Sequence, residues 1–136
     1  MSVTETGAVR SPAAQETGQL TGGGPLVGIV GPCGSGKSTL KAALLERGIR
    51  AREIVQEHSY VPTMWRRVAN PNLLIYLDVS LEVARQRGRQ LSDREWNDLQ
   101  GRLVHARAHA DLVVDTNALD PNEVLERAMG FLKRET

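Results

Sequence analysis

From Pro25 onward, short apolar runs alternate with stretches whose apolar residues recur every three or four positions. "LVGIV" (26–30) has the continuous apolar character of a buried strand. "KSTLKAALLER" (37–47) reads as a helix with Leu40 and Leu44 on one face and Gly48 as its stop. A second strand is predicted at "AREIV" (51–55), and "LLIYLDV" (73–79) has the form of a strand in a parallel sheet covered on both faces. Ser80 is placed to cap a short helix ending near Gly88. Ser92 and Glu95 have capping-box spacing at the head of a longer helix, along which Trp96, Leu99, Leu103 and Ala106 share a face. "DLVVD" (111–115) reads as the last strand. The closing helix has Asp120 as cap, Pro121 at its first position, and Val124, Leu125, Ala128, Phe131 and Leu132 as its buried stripe.

Strands alternating with helices through right-handed crossovers predict an α/β fold, a three-layer α/β/α sandwich around a small parallel sheet of about four strands. Residues 25–136 form this domain. Met1 to Gly24 contain Thr, Gly, Ala, Gln and Pro but almost nothing large and apolar to offset the entropy of ordering, so a disordered tail is expected there.

Composition narrows the function classes. The 136 residues suffice for one domain, and a formal net charge of +1 gives no broad basic surface for nucleic acid. No apolar run approaches the roughly 18 residues of a membrane span, and no charged-then-apolar signal opens the chain. Cys33 is the single cysteine, so no internal disulfide forms and a cytoplasmic setting is expected. Whether a second copy completes the short sheet as a homodimer stays open.

The chemistry concentrates in "GPCGSGKS" (31–38), which satisfies G-x-x-x-x-G-K-[ST] between a predicted strand and a predicted helix. Successive backbone N–H groups must point into one concavity to hold phosphate, and side chains would obstruct the approach. Hence the glycines at Gly31, Gly34 and Gly36, with Cys33 and Ser35 between them. The helix N-terminus adds its dipole to the anion site. In this motif Lys37 reaches the β and γ phosphates of a nucleoside triphosphate, Ser38 ligates Mg²⁺ and Thr39 contacts the α phosphate. Cys33 lies near the helix start, where a thiol pKa can be lowered; a redox role stands against the reading that any small residue would serve.

Such a loop works with an acid that holds the metal's water shell or takes a proton from an acceptor. Two carboxylates follow predicted strands: Glu57 after "AREIVQ" and Asp78 at the end of "LLIYLD". Ligands of an open parallel sheet bind beyond the carboxyl ends of its strands, so both acids remain candidates, Glu57 acting on the metal through water. Each also has an ordinary alternative, Glu57 as a solvated acid and Asp78 as a turn or cap acid. His58 reads as a loop histidine or a proton shuttle, and Tyr60 and Trp65 as core or rim packing or as groups that stack on a planar acceptor. His105 and His109 are one helical turn apart, without an evident third metal ligand.

"GPCGSGKST", "LLIYLDVSLEVARQRGR" and "ADLVVDT", in this order, resemble the phosphate loop, the fourth strand with lid helix, and the last strand of the P-loop nucleoside and nucleotide kinases, the thymidylate and deoxynucleoside kinases above all. The resemblance runs from Leu26 to the C-terminus. It implies a P-loop NTPase fold, ATP and Mg²⁺ as cofactors and a small-molecule acceptor. It also implies Glu57 as general base, followed by Trp65, and lid arginines at Arg85, Arg87 and Arg89. The family's strand equivalent to "IYLD" does not carry the metal-binding acid, which favours Glu57 over Asp78. Two features depart from the family: only about fifteen residues, His58 to Asn72, stand where its members place several acceptor-binding helices, and no Asp-Arg pair ends a strand between Trp65 and Leu73. A nucleotide-dependent switch and an acceptor-independent NTPase or composite-enzyme subunit therefore stand beside the kinase.

Overall fold

The computed structural model describes residues 24–135. The tail expected over residues 1–24 lies, apart from Gly24, outside them. Strand β1 (Val27–Val30) leads through the glycine loop into helix α1 (Lys37–Glu46), and β2 (Ala51–Glu53) follows. A single 3₁₀ turn (Gln56–His58) and helix α2 (Met64–Val68) connect it to β3 (Leu73–Asp78). Helices α3 (Leu81–Gln86) and α4 (Asp93–Ala108), strand β4 (Leu112–Asp115) and helix α5 (Pro121–Glu135) complete the chain.

All four strands are parallel, in the order β2-β1-β3-β4, with Val27 opposite both Ala51 and Leu73 and Asp78 opposite Asp115. The twofold alternation of strand side chains divides the core. Ile75 and Leu77 point to the face covered by α1 and α5, where they meet Leu40, Leu44, Phe131 and Leu132. Leu74 and Tyr76 point to the opposite face, packed with Leu99, Leu103 and Ala106 of α4 and with Trp65 of α2. Apolar positions on both sides of β3 are thus what a sheet sandwiched between two helical layers requires.

The expected caps form by the local chemistry that predicts them. Ser80 accepts from the Val83 amide, Ser92 and Glu95 close a reciprocal capping box, and Asp120 and Glu123 do the same at α5. Trp96 lies at the margin of the α4 core rather than within it. The strand expected over 51–55 ends at Glu53. Ile54 still donates to the Ile29 carbonyl, but Val55 already starts the 3₁₀ turn because Gln56 turns inward, fully buried. Glu57 therefore sits on a tight turn of helix, not in an open loop, and α2 fills a stretch for which no element was expected.

Candidate functional site

The loop after β1, the turn after β2, the end of β3 and Thr116 after β4 lie at the carboxyl edge of one parallel sheet. The glycine loop presses on its neighbour. A Cβ at Gly31, φ +154°, would stand 2.2 Å from the Leu77 carbonyl oxygen of β3, a contact that only removal of the side chain relieves. Gly36 takes a left-handed conformation, φ 96°, directly before α1, and no side chain caps that helix. Its first-turn amides are the ones a phosphate would use.

Lys37, on the first residue of α1, is buried and donates to the Gly31 carbonyl at 2.9 Å, the Pro32 carbonyl at 3.3 Å and Glu57 Oε2 at 2.8 Å. Glu57 is buried too, and its second oxygen, Oε1, has no hydrogen-bond partner. The pair crosses from β1 to β2 through the register that sets Ile29 opposite Glu53. His58 Nε2 lies 3.9 Å from Glu57 Oε2 and 3.9 Å from Cys33 Sγ. Ser35 Oγ is buried without a partner inside the loop, while Ser38 and Thr39 are exposed on the first turn of α1.

The three arginines of "RQRGR" diverge. Arg87 reaches the loop, donating to the Gly34 carbonyl at 2.8 Å and to the Thr116 carbonyl and hydroxyl at 2.6 and 3.2 Å. Arg89 lays its aliphatic stem beside Gly34. Arg85 turns away, holding the Leu91 carbonyl and Asp93 at the entry to α4, so it stabilises the α3–α4 connection rather than the loop.

Asp78 is engaged elsewhere as well. Its Oδ2 accepts from Arg107 at 2.7 Å, its Oδ1 accepts from the Val79 amide, and its carbonyl accepts from Thr116. The Asp78 carboxylate raises the pKa of the Arg107 guanidinium, whereas burial, followed by the same carboxylate, raises that of the Tyr76 hydroxyl. Of the two candidate acids, Glu57 is therefore the one brought to the glycine loop's lysine.

On the other side of the loop, a cleft of about 230 Å³ opens between α1 and the start of α5. Gly36, Thr39, Arg87 and Thr116 form its polar wall; Leu40, Leu119, Pro121 and Val124 form its apolar one.

Two supporting residues carry no local sequence signal. Gln56 accepts from the Trp65 amide at 2.8 Å and donates to the carbonyls of Val61 and Arg102 at 2.9 and 3.3 Å. Arg102 of α4 donates to the Glu57 carbonyl and to the Tyr60 hydroxyl, with its guanidinium 4.4 Å from the centre of the Tyr60 ring. Trp65 packs in the core, the first of the two packing readings, and its indole N–H donates to His105 Nδ1, which in turn lies stacked on His109. Neither a comparison with protein-family models nor one with curated proteins finds a match. No helix among the described residues is long and apolar enough to cross a membrane.

Proposed function

We propose that the chain is a P-loop ATP-binding phosphotransferase that moves the γ-phosphoryl group of ATP to a small hydroxyl or phosphate acceptor. One observation carries this reading. The lysine of a G-x-x-x-x-G-K-[ST] loop and a carboxylate from the 3₁₀ turn after the neighbouring strand meet as a buried pair at the carboxyl edge of a parallel sheet.

The loop fits a polyphosphate. Gly31 and Gly36 hold it in backbone shapes that a side chain would obstruct or strain, α1 presents uncapped amides, and Ser35 Oγ remains buried with no partner. Lys37 would neutralise the transferring phosphoryl oxygens, and the cleft beside Thr116 would take the base and ribose. The Ser38 hydroxyl, exposed at the first turn, would hold Mg²⁺, whose part is to neutralise charge on the β and γ oxygens. Glu57 would accept the acceptor's proton through its unpartnered Oε1. Arg87, joined to the loop through Gly34, would hold the loop against the base pocket, with Arg89 beside it.

A second reading, a nucleotide-dependent switch, draws on a different observation. The segment after Glu57 is spent on one 3₁₀ turn and the five residues of α2, whose Trp65 is buried in the core, so little chain remains to build an acceptor site. ADP release from Mg-ATP, alone and with pools of nucleosides, nucleotides and small hydroxylated metabolites, separates the two. Stimulation by one pool, abolished by Lys37→Ala and by Glu57→Gln and accompanied by weaker ATP binding in Arg87→Ala, is the expected outcome. ATP binding that depends on Lys37 without turnover in any pool transfers support to the switch; no ATP binding removes both.

A further inference from the structure

We propose that Cys33, Glu57 and His58 form a binding site for one thiophilic divalent metal ion of the zinc class, separate in chemistry from the Mg²⁺ that would accompany a nucleotide. One ligand atom from each residue lies within 4.8 Å of the others. The thiol sulfur and the imidazole Nε2 are 3.9 Å apart, as are Nε2 and Glu57 Oε2. Zinc–sulfur and zinc–nitrogen bonds of about 2.3 and 2.0 Å at the tetrahedral angle need these atoms about 3.5 Å apart. The side chain of His58 is 64% exposed, so its ring is free to move toward Cys33, and the three ligand atoms, all within 4.8 Å, would draw together on a bound ion.

The carboxylate supplies an independent sign of a ligand. Glu57 is 3% exposed; Lys37 holds Oε2, the oxygen 3.9 Å from His58 Nε2, while Oε1 has no partner, so the carboxylate keeps an oxygen free for a cation. A buried polar atom left unsatisfied costs free energy that a bound cation recovers. Thiolate, imidazole and carboxylate together select zinc-like ions over Mg²⁺, which prefers oxygen ligands and resists dehydration. Three protein ligands leave the fourth position to water, the arrangement of an exchangeable site rather than a closed structural one. Binding displaces the thiol proton of Cys33 to solvent.

The location gives the site a consequence. Cys33 is the third residue of the glycine loop and Glu57 is the partner of Lys37, so the metal and the triphosphate draw on the same groups. Their binding is therefore antagonistic, by the same factor in both directions. This consequence, unlike the metal site, rests on the nucleotide-binding reading.

The full chain, free of nucleotide, is titrated with Co²⁺ and then with Zn²⁺ against a chromophoric chelator. One equivalent of metal and a thiolate-to-cobalt charge-transfer band are expected. Cys33→Ser should abolish the band, and Cys33→Ser and His58→Ala should each weaken zinc binding by at least about tenfold. His109→Ala, which alters the stacked pair on α4, should leave it unchanged. No charge-transfer band, zinc affinity that survives both substitutions, or affinity lost with His109→Ala overturns the site. A fluorescent ATP analogue then reads the antagonism. Binding insensitive to zinc overturns antagonism, whereas a chain that binds cobalt through Cys33 but never the analogue defeats the nucleotide reading alone.

Discussion

Lys37 and Glu57 meet at 2.8 Å with 5% and 3% of their side chains exposed, twenty residues apart in sequence. An ion pair this deeply buried makes each partner a condition for the other. Removal of one leaves an uncompensated charge, which costs about 3–5 kcal/mol, whereas removal of both leaves none. Lys37→Met should therefore destabilise the fold by an amount in that range. Glu57→Gln should cost less, since the amide oxygen and the carbonyls of Gly31 and Pro32 still accept from Lys37. In a double-mutant cycle read by urea unfolding, the combined variant should lose less than the sum of the two. Additive losses would show that the charges are satisfied independently.

Gln56 makes a second, neutral test of how the site is held. Its side chain joins the amide of Trp65 to the carbonyls of Val61 and Arg102, bracing the turn that carries Glu57 against α2 and α4. Gln56→Leu keeps most of the volume but orphans these groups, at about 1–3 kcal/mol for each one left buried. A stability loss of roughly 2–4 kcal/mol is expected in chemical denaturation, with weaker activity from a displaced Glu57. An unchanged unfolding midpoint would mean that water or a shifted backbone replaces the bonds.

His105 sets a pH dependence. Its Nδ1 accepts from the Trp65 indole, which requires that nitrogen to be unprotonated. Desolvation against its neighbours, then the charges of His109 and Arg66, lowers its pKa from 6.5. The unfolded chain therefore binds the proton more readily than the folded one. The contribution is fully present above pH 6.5 and is lost as the pH falls through the folded value. NMR titration should place the His105 imidazole below the ordinary value, and His105→Gln should flatten the stability profile on the acid side. A resonance titrating at or above 6.5 would contradict the assignment.

The parts legible from residue order are those governed by neighbours a few positions away. The caps at Ser80, Ser92 and Asp120 and the apolar stripe of α5 follow from local hydrogen bonding and from helical periodicity. The β1, glycine loop, α1 unit follows in the same way, since Gly31 and Gly36 occupy positions where a side chain would clash or strain. Apolar runs without alternation at β1 and β3 announce a sheet covered on both faces before any partner is known.

Tertiary structure decided which side chains those elements bring together. The residues alone left two carboxylates and three arginines as candidates, and only the family resemblance favoured Glu57 over Asp78. The order β2-β1-β3-β4 sets the turn after β2 beside the glycine loop, so Glu57 meets Lys37. Asp78 is instead claimed by Arg107, twenty-nine residues away on α4. Arg87 turns to Gly34 and Thr116, while Arg85, two positions earlier, turns to Leu91 on another side of the same short helix. Burial of Gln56 and Trp65 likewise depends on α4 packing over the turn, and nothing in their flanking residues records it. Period and propensity describe a chain's relation to itself over a few residues; strand order and layer packing determine which distant charges meet, and only a folded chain contains them.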